Sequence, residues 1–125
     1  MRYTILMHYS EETGESIGEE TIAAGREAFA AYTAALEQAG VLIGAEVLAP
    51  SELTTTLRMV DGELRVQDGP FADTKEQLGG TVVIDVPDLD AAIEWARQAP
   101  PIHWGAVEVR PGATYTVEGV WTPNR

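Results

Sequence analysis

The chain has 125 residues, of which 20 are acidic and eight are basic, so its formal net charge at pH 7 is −12. This length predicts a single domain over residues 1–125, and the 45% apolar content is typical of a globular protein. The acidic excess argues against nucleic acid and anionic membranes as partners, because both are bound mainly through Lys and Arg. The absence of cysteine excludes disulfides, thiolate nucleophiles and zinc–thiolate sites.

The first half of the chain predicts a strand, a helix and a second strand. Residues 3–9 are suited to a buried strand, and this apolar run is too short for a signal peptide or a membrane span, so we expect a cytoplasmic protein. The polar residues 10–18 predict a loop, and residues 41–49 a strand. A helix is expected from about Glu19 to Ala39, with Gly40 as its left-handed stop. Its apolar positions recur at helical spacing: Ile22, Phe29, Tyr32, Leu36 and Ala39.

A β-hairpin is the most strongly predicted element. Asp61-Gly62 is a typical two-residue turn, and it lies between the strand-like segments 53–60 and 63–67. Pairing outward from this turn places Val60 opposite Glu63, Met59 opposite Leu64, Leu57 opposite Val66, Arg58 opposite Arg65 and Thr56 opposite Gln67.

Arg58 and Arg65 are therefore predicted to be directly opposed like charges, which destabilise a sheet. One interpretation is that Glu63 and Asp68 neutralise them. The other is that Arg58, joined by Lys75 from the following loop, binds the carboxylate or phosphate of a small anionic ligand, because a guanidinium binds such groups through two parallel hydrogen bonds. Arg65 is a further candidate ligand-binding residue.

The second half of the chain repeats the order strand, helix, strand. Residues 81–86 are rich in β-branched residues and predict a central strand. A helix then begins after its N-cap residue Asp88 and ends before Pro100-Pro101. Residues 105–110 predict the last core strand, and residues 111–125 either add a strand or lie across a partner. The helix is expected to bury one stripe of apolar residues: Leu89, Ala92, Ile93 and Ala96.

The predicted order of elements is β-α-β, a hairpin, then β-α-β. This order is typical of an α+β fold, namely a ferredoxin-like split βαβ sandwich with an inserted β-hairpin. Both helices would cover one face of the sheet. We expect a homodimer that packs two sheets face to face, as in a dimeric α+β barrel, and the alternative is a monomer with a solvated sheet face.

The segment 68–80, DGPFADTKEQLGG, resembles the signature of the DGPF-domain proteins, a branch of the YCII-related family. Residues 55–58, 88–96 and 107–111 add to the resemblance. It implies a dimeric ferredoxin-like fold. Because such genes often neighbour sigma-factor genes, it also implies a regulatory role by association. The wider family implies a His–Asp pair with the histidine on the first helix. Here Phe29 falls near that place and no histidine lies between His8 and His103, so the pair is not carried over.

The same segment contains most of the candidate site residues. Asp68 and Lys75 are candidate catalytic groups, while Phe71, Thr74 and Glu76 are candidate ligand-binding residues, because a Lys–carboxylate pair beside a cleft has perturbed acid–base behaviour. Structural alternatives are an Asx-turn at Asp68, a core position for Phe71 and an exposed ion pair at Lys75.

His8 is a further candidate catalytic residue, since a histidine at a strand end can act as a general base near neutral pH. Its structural alternative is a histidine satisfied by backbone contacts. His8 would face a cleft at the dimer interface. His103 and Trp104 are expected to line that cleft or to cover a helix end. The two histidines have no metal-ligand spacing, and no phosphate-binding glycine loop or nucleophile elbow is present, so neither a metal nor a cofactor is predicted.

Two classes of function agree with these patterns. The first is a small cofactor-independent enzyme that binds or converts a small anionic molecule, which predicts a concave pocket with convergent polar groups. The second is a non-catalytic regulatory or protein-interaction module, which predicts an exposed apolar patch, for example around Trp121.

Overall fold

A computed structural model describes residues 1–11 and 18–125 of the protein. The predicted loop 10–18 therefore lies largely outside the described residues. The structure confirms the α+β class. Its elements are β1 (Arg2–Tyr9), α1 (Glu19–Gln38), β2 (Leu42–Val47), β3 (Thr55–Val60), β4 (Glu63–Asp68), β5 (Gln77–Asp85), α2 (Leu89–Ala96), β6 (Gly105–Pro111), β7 (Thr114–Val117) and β8 (Val120–Pro123).

The central element is a four-stranded antiparallel sheet with the strand order β2-β5-β1-β6. Two 3₁₀ turns, Ser51–Leu53 and Pro100–His103, lie in the connections before β3 and β6. The predicted central strand is correct but begins earlier, because Gln77–Gly80 extend β5 rather than belonging to the preceding loop. The two hairpins β3–β4 and β7–β8 form separate two-stranded sheets.

The core lies between one face of this sheet and the two helices. Alternate residues of β1 and β5, such as Ile5 and Ile84, are fully buried on this face. Helix α1 contributes Tyr32 and Leu36, and α2 contributes Ala92 and Ala96. The opposite face of the sheet, called the outer face below, carries half-buried side chains at its two central strands: Thr4, Leu6, His8, Thr81 and Val83.

The C-terminal end of α1 and the N-terminal end of α2 have the predicted stop and cap residues, but the predicted buried face of α2 is partly wrong. Gly40 has a φ of 73°, and the Asp88 Oδ1 atom accepts a hydrogen bond of 2.9 Å from the Ala91 N–H. Leu89 and Ile93 are 48% and 46% exposed, although both were expected in the buried stripe. The buried face of α2 is rotated relative to the predicted stripe. Ala91 and Trp95, on the flank of the stripe opposite Leu89 and Ile93, pack against the core instead.

The β3–β4 hairpin has the predicted register at every pair, including Arg58 opposite Arg65. Asp61 and Gly62 both have positive φ, as the predicted two-residue turn requires. The apolar face of this hairpin is largely exposed, with exposed fractions between 58% and 67% for its four members Leu57, Met59, Leu64 and Val66.

The segment after β6 adds a hairpin, so the prediction of an additional strand is confirmed. Asn124 connects this hairpin to the start of β1 and to the end of β6 by hydrogen bonds. Its Oδ1 atom accepts from the Arg2 N–H at 2.7 Å, and its Nδ2 atom donates to the carbonyl oxygens of Arg2 and Gly112 at 2.8 and 2.7 Å.

Among the helices that the structure describes, none is long and apolar enough to cross a membrane.

Candidate functional site

The loop between β4 and β5 is held in place by hydrogen bonds of its own and of β3. The Thr56 hydroxyl donates to the Gly69 carbonyl at 2.7 Å, and the Gly69 N–H donates to the Thr54 carbonyl at the same distance. The Gln77 amide donates to the carbonyls of Ala72 and Thr74. These bonds fix the backbone on both sides of the loop, so its exposed side chains project from a defined position.

The polar candidates of this loop are exposed. The Thr74 hydroxyl donates to the Glu76 carbonyl at 2.8 Å, which gives it a structural contact within the loop. Within the described part of the chain, Lys75 takes part in no ion pair, and the Asp68 carboxylate accepts no hydrogen bond of the expected Asx-turn. Neither Glu76 nor Asp68 therefore forms an ion pair with Lys75.

Phe71 brings this loop into contact with the hairpin. Its ring is 73% exposed, so the alternative of a core position is wrong. The Arg58 guanidinium carbon lies 5.2 Å from the centroid of this ring, within the range of a cation–π contact. On the opposite strand, Arg65 pairs with Glu63 at 3.7 Å. Of the neutralisation by Glu63 and Asp68 that one interpretation required, the described residues show only the exposed pair of Glu63 with Arg65, while Arg58 contacts the Phe71 ring.

His8 lies on the outer face of the sheet and contacts a side chain rather than the backbone. Its Nε2 atom lies 2.5 Å from a carboxylate oxygen of Glu108 on the neighbouring strand β6. The alternative of a histidine satisfied by backbone contacts is therefore wrong.

Two clefts share the wall Leu48–Pro50, in the connection between β2 and β3, and one of them is also lined by the loop. The first, called the loop cleft, has a volume of about 520 Å³. Its other walls come from the turn that begins at Ser51, from the start of β5 at Gln77 and Leu78, and from the loop, which contributes Pro70, Phe71 and Ala72. Of the eight predicted site residues, Phe71 lines this cleft.

The second cleft, called the helix cleft, has a volume of about 620 Å³ and lies between α1 and the ends of β1 and β5. Its walls are mostly apolar. They consist of Tyr9, Ser10, Glu11, Thr21, Ile22, Ala24, Gly25, Ala28, Leu48, Ala49, Pro50, Gly79 and Trp104.

Small residues create the helix cleft. Along one side of α1, Ala24, Gly25 and Ala28 face the cleft, and side chains of this size cannot fill the space up to β1. On the opposite wall, the Tyr9 ring lies where a side chain at Gly79 would stand, and the Tyr9 hydroxyl donates to the Gly79 carbonyl at 3.1 Å. Glycine at position 79 is therefore required for this close approach.

Glu11 is the ionisable carboxylate among the described residues of the helix cleft. Both of its oxygens accept from the Ser51 N–H, at 2.9 and 3.1 Å, and Oε2 also accepts from the Ser51 hydroxyl at 2.8 Å. Burial, and to a smaller degree the charge of Glu11, raises the pKa of the Tyr9 hydroxyl above its ordinary value of 10.0. The phenol is therefore a neutral hydrogen-bond donor at physiological pH.

The described residues contain no group of three or more His, Asp or Glu side chains placed to hold a metal ion.

Comparison with known proteins identifies the family. The profile of the YCII-related domain matches residues 1–112. The chain belongs to the YCII-related family. It is also 36% identical over 117 residues to the uncharacterized protein R00369 of Rhizobium meliloti (strain 1021), an alignment that covers 92% of this chain and 94% of that relative.

None of the eight predicted site residues of this YCII-related protein lines the helix cleft. Trp104 was expected to line the cleft that His8 faces or to cover a helix end, but it lines the helix cleft, which His8 does not line. Glu11 and Ser51 carried no signal because they are 40 residues apart. A signal for Gly79 was present in the sequence, since glycine inside a strand often marks a close approach of other atoms.

Proposed function

We propose that this YCII-related protein binds a small organic molecule in the helix cleft. The observation that carries the proposal is the cleft itself, whose volume of about 620 Å³ falls within the range of about 300–1,000 Å³ that is typical of ligand sites. Its apolar walls supply contact area. Tyr9 and Glu11 supply a small number of fixed polar groups, as ligand sites generally do.

The test is a thermal-shift screen of small molecules against the protein and a variant with a filled cleft. Gly25→Leu is suitable because a Cβ atom at this position meets no heavy atom within 4 Å, and leucine is a better helix former than glycine. Ala34→Leu, at an exposed position of the same helix, is the matched control. Hits that stabilise the parent and Ala34→Leu but not Gly25→Leu support the proposal. Hits that stabilise all three equally contradict it.

A second ligand position is proposed beside the loop cleft, for the carboxylate or phosphate of a small anion. The observation that favours it is the contact of Arg58 with Phe71, because this contact holds a guanidinium next to the cleft that Phe71 lines. Lys75 would supply a second positive charge, and Thr74 and Glu76 would position the loop around the ligand.

Titration with sulfate, phosphate and small carboxylates, followed by the melting temperature, tests this position. Arg58→Met should remove the stabilisation by anions. Arg65→Met is the matched control, because Arg65 lies on the same hairpin but is paired with Glu63. Equal stabilisation of the parent and Arg58→Met would rule out the anion site.

If a bound molecule is converted, we propose that the loop carries the chemistry, with Asp68 and Lys75 as catalytic groups and His8 as a further base. Asp68→Asn or Lys75→Met should then reduce turnover more than His103→Gln does. The reverse order, with the variants folded, would move the chemistry to the histidines.

We also propose that the protein is a homodimer with a ferredoxin-like fold of the dimeric α+β barrel type, and that it belongs to the DGPF branch of the family. The sheet order β2-β5-β1-β6 and the placement of both helices on one face support the fold. The half-buried outer face supports the dimer, since Leu6 and Val83 would be removed from water by a second sheet. The segment 68–80 supports the branch.

A regulatory or protein-interaction role is the second function, favoured by the exposed side chains of the β7–β8 hairpin. Val120 and Trp121 are 66% and 69% exposed and are adjacent in the chain. Apolar surface of this kind is typical of interaction sites. Trp121→Ser would abolish binding of a protein partner in this case, whereas it would leave ligand binding in the helix cleft unchanged.

A further inference from the structure

The described lining of the helix cleft carries charge of one sign only, and that charge is negative. Among the described residues that line it, Glu11 carries a negative charge, whereas none is Lys or Arg. The other polar groups are the hydroxyls of Ser10, Thr21 and Tyr9 and the indole N–H of Trp104, and the Tyr9 hydroxyl already donates to the Gly79 carbonyl. Among these described residues, a ligand charge inside the cleft would therefore meet a carboxylate and no cation.

The Glu11 carboxylate is held at the cleft by Ser51. Three contacts of 2.8 to 3.1 Å join the two oxygens of Glu11 to the N–H and hydroxyl of Ser51, which begins the 3₁₀ turn after the shared wall. An ionised carboxylate has about four acceptor positions. Ser51 supplies two donors, so Glu11 retains acceptor capacity for a group on the ligand while its position is fixed.

The aromatic residues of the cleft, like Glu11, favour a positively charged ligand. Tyr9 and Trp104 both line the cleft, and the faces of their rings attract cations. Trp104 is 52% exposed, so the part of the wall that it forms is open to an incoming ligand.

The N-terminus of α1 is the feature that favours an anion, because Thr21 and Ile22 of its first turns reach the cleft and a helix N-terminus carries partial positive charge. Glu19 and Glu20 lie in the first turn of the same helix and offset this charge. With the overall charge of −12, the balance at the cleft is negative.

We infer that the helix cleft binds the protonated amine of a small amphipathic molecule with an aromatic body. Glu11 accepts hydrogen bonds from the ammonium group, and Trp104 with the small side chains of α1 contacts the apolar body. This inference rests on the proposed function, that is, on the helix cleft as a ligand site, and adds the chemical class of the ligand.

Three compounds that share one indole body test the charge without any variant: tryptamine, the neutral alcohol tryptophol and indole-3-propionate. Their affinities are measured by isothermal titration calorimetry at pH 7 with the full chain. Because a hydrogen bond to a charged group is stronger than a neutral one, tryptamine should bind about tenfold more tightly than tryptophol, and the propionate should bind most weakly. Tryptophol or the propionate binding as tightly as tryptamine overturns the inferred class while leaving the cleft as a ligand site.

Two variants locate the effect at the carboxylate. Glu11→Gln retains an acceptor for Ser51 but removes the negative charge, so the preference for tryptamine over tryptophol should disappear. Ser51→Ala removes the hydroxyl but keeps the backbone N–H and the charge of Glu11, so the preference should persist. An unchanged preference in Glu11→Gln overturns the inference, as does tryptamine binding that Gly25→Leu leaves intact. Failure of all three indoles to bind also overturns it, whereas the broad screen with Gly25→Leu decides separately whether the cleft binds any ligand.

Discussion

The Tyr9 ring occupies the space that a side chain at Gly79 would need, and its hydroxyl donates a hydrogen bond of 3.1 Å to the carbonyl oxygen of the same residue. The Gly79 carbonyl also accepts from the Leu48 N–H at 2.8 Å. This carbonyl therefore connects the end of β1 with the wall that the two clefts share. The position of Tyr9 at the helix cleft depends on glycine at residue 79.

Gly79→Ala should destabilise the protein, since its Cβ atom would overlap the Tyr9 ring and force the ring or the strand to move. Such overpacking costs about 1–3 kcal/mol. Urea denaturation followed by circular dichroism measures the loss. Gly44→Ala is the matched control in the adjacent strand β2, because its Cβ atom would meet no heavy atom within 4 Å. Equal stability of Gly79→Ala and the parent would show that Tyr9 is not confined by this contact.

Asn124 should be important for the attachment of the β7–β8 hairpin. Asn124→Ala removes one acceptor and two donors that contact Arg2 and Gly112. We expect a loss of about 1–3 kcal/mol in the free energy of unfolding, because backbone groups next to β1 lose their partners. Hydrogen exchange of the Arg2 amide should accelerate. Thr122→Ala, which removes a long bond of 3.5 Å on the same hairpin, should leave this exchange rate unchanged.

The parts of the fold that were predictable from sequence are those with a local physical cause. The register of the β3–β4 hairpin follows from its Asp61-Gly62 turn, since the turn fixes which residues face each other. The N-cap Asp88 is likewise a local signal. Leu89 and Ile93 were misplaced because helical spacing defines a stripe but not which flank of the stripe the rest of the protein covers.

The helix cleft could not be predicted because its contacts join distant parts of the chain. Tyr9 and Gly79 are 70 residues apart, and Glu11 and Ser51 are 40 residues apart. The loop 68–80 was conspicuous in sequence because it concentrates charged and turn-forming residues. Of its candidate site residues, Phe71 lines the loop cleft, whereas Asp68 and Lys75 line neither of the two clefts.

The proposed dimer predicts a charge effect on the outer face. Val83 lies on the outer face of the central strand β5, between Thr4 and Gly44 on its two neighbours. A lysine there is tolerated by a monomer, but a face-to-face dimer would bury it against the second sheet, where a charge without a partner is costly. Sedimentation equilibrium should give twice the chain mass of 13.5 kDa for the parent and a lower mass for Val83→Lys.

Ala34→Lys is the control for this experiment, since it adds the same charge at an exposed position of α1. Its mass should equal that of the parent. A parent that sediments as a monomer at micromolar concentration would remove the basis of the dimer and would leave the outer face as a solvated surface.

Tyr32 predicts a loss of stability at alkaline pH. Its hydroxyl joins the two helices by donating to the Trp95 carbonyl at 2.9 Å, and burial raises its pKa from 10.0 to about 12. Between these two values the unfolded chain releases the proton while the folded chain retains it, so the free energy of unfolding falls as pH rises from 10 to 12. The full effect is on the order of 2–3 kcal/mol, since each pKa unit corresponds to about 1.4 kcal/mol. Below pH 10 this contribution is constant.

Urea denaturation at a series of pH values from 8 to 12 measures this effect in the parent and in Tyr32→Phe. At pH 8 the variant should be less stable by about 1 kcal/mol, because it lacks the hydrogen bond to Trp95. Between pH 10 and 12 its stability should fall less steeply than that of the parent. The pKa of Tyr9 is also raised, so a smaller fall in the same direction should remain in Tyr32→Phe and should diminish when Tyr9→Phe is added. Parallel curves for the parent and Tyr32→Phe would show that the Tyr32 phenol titrates alike in the folded and unfolded chains.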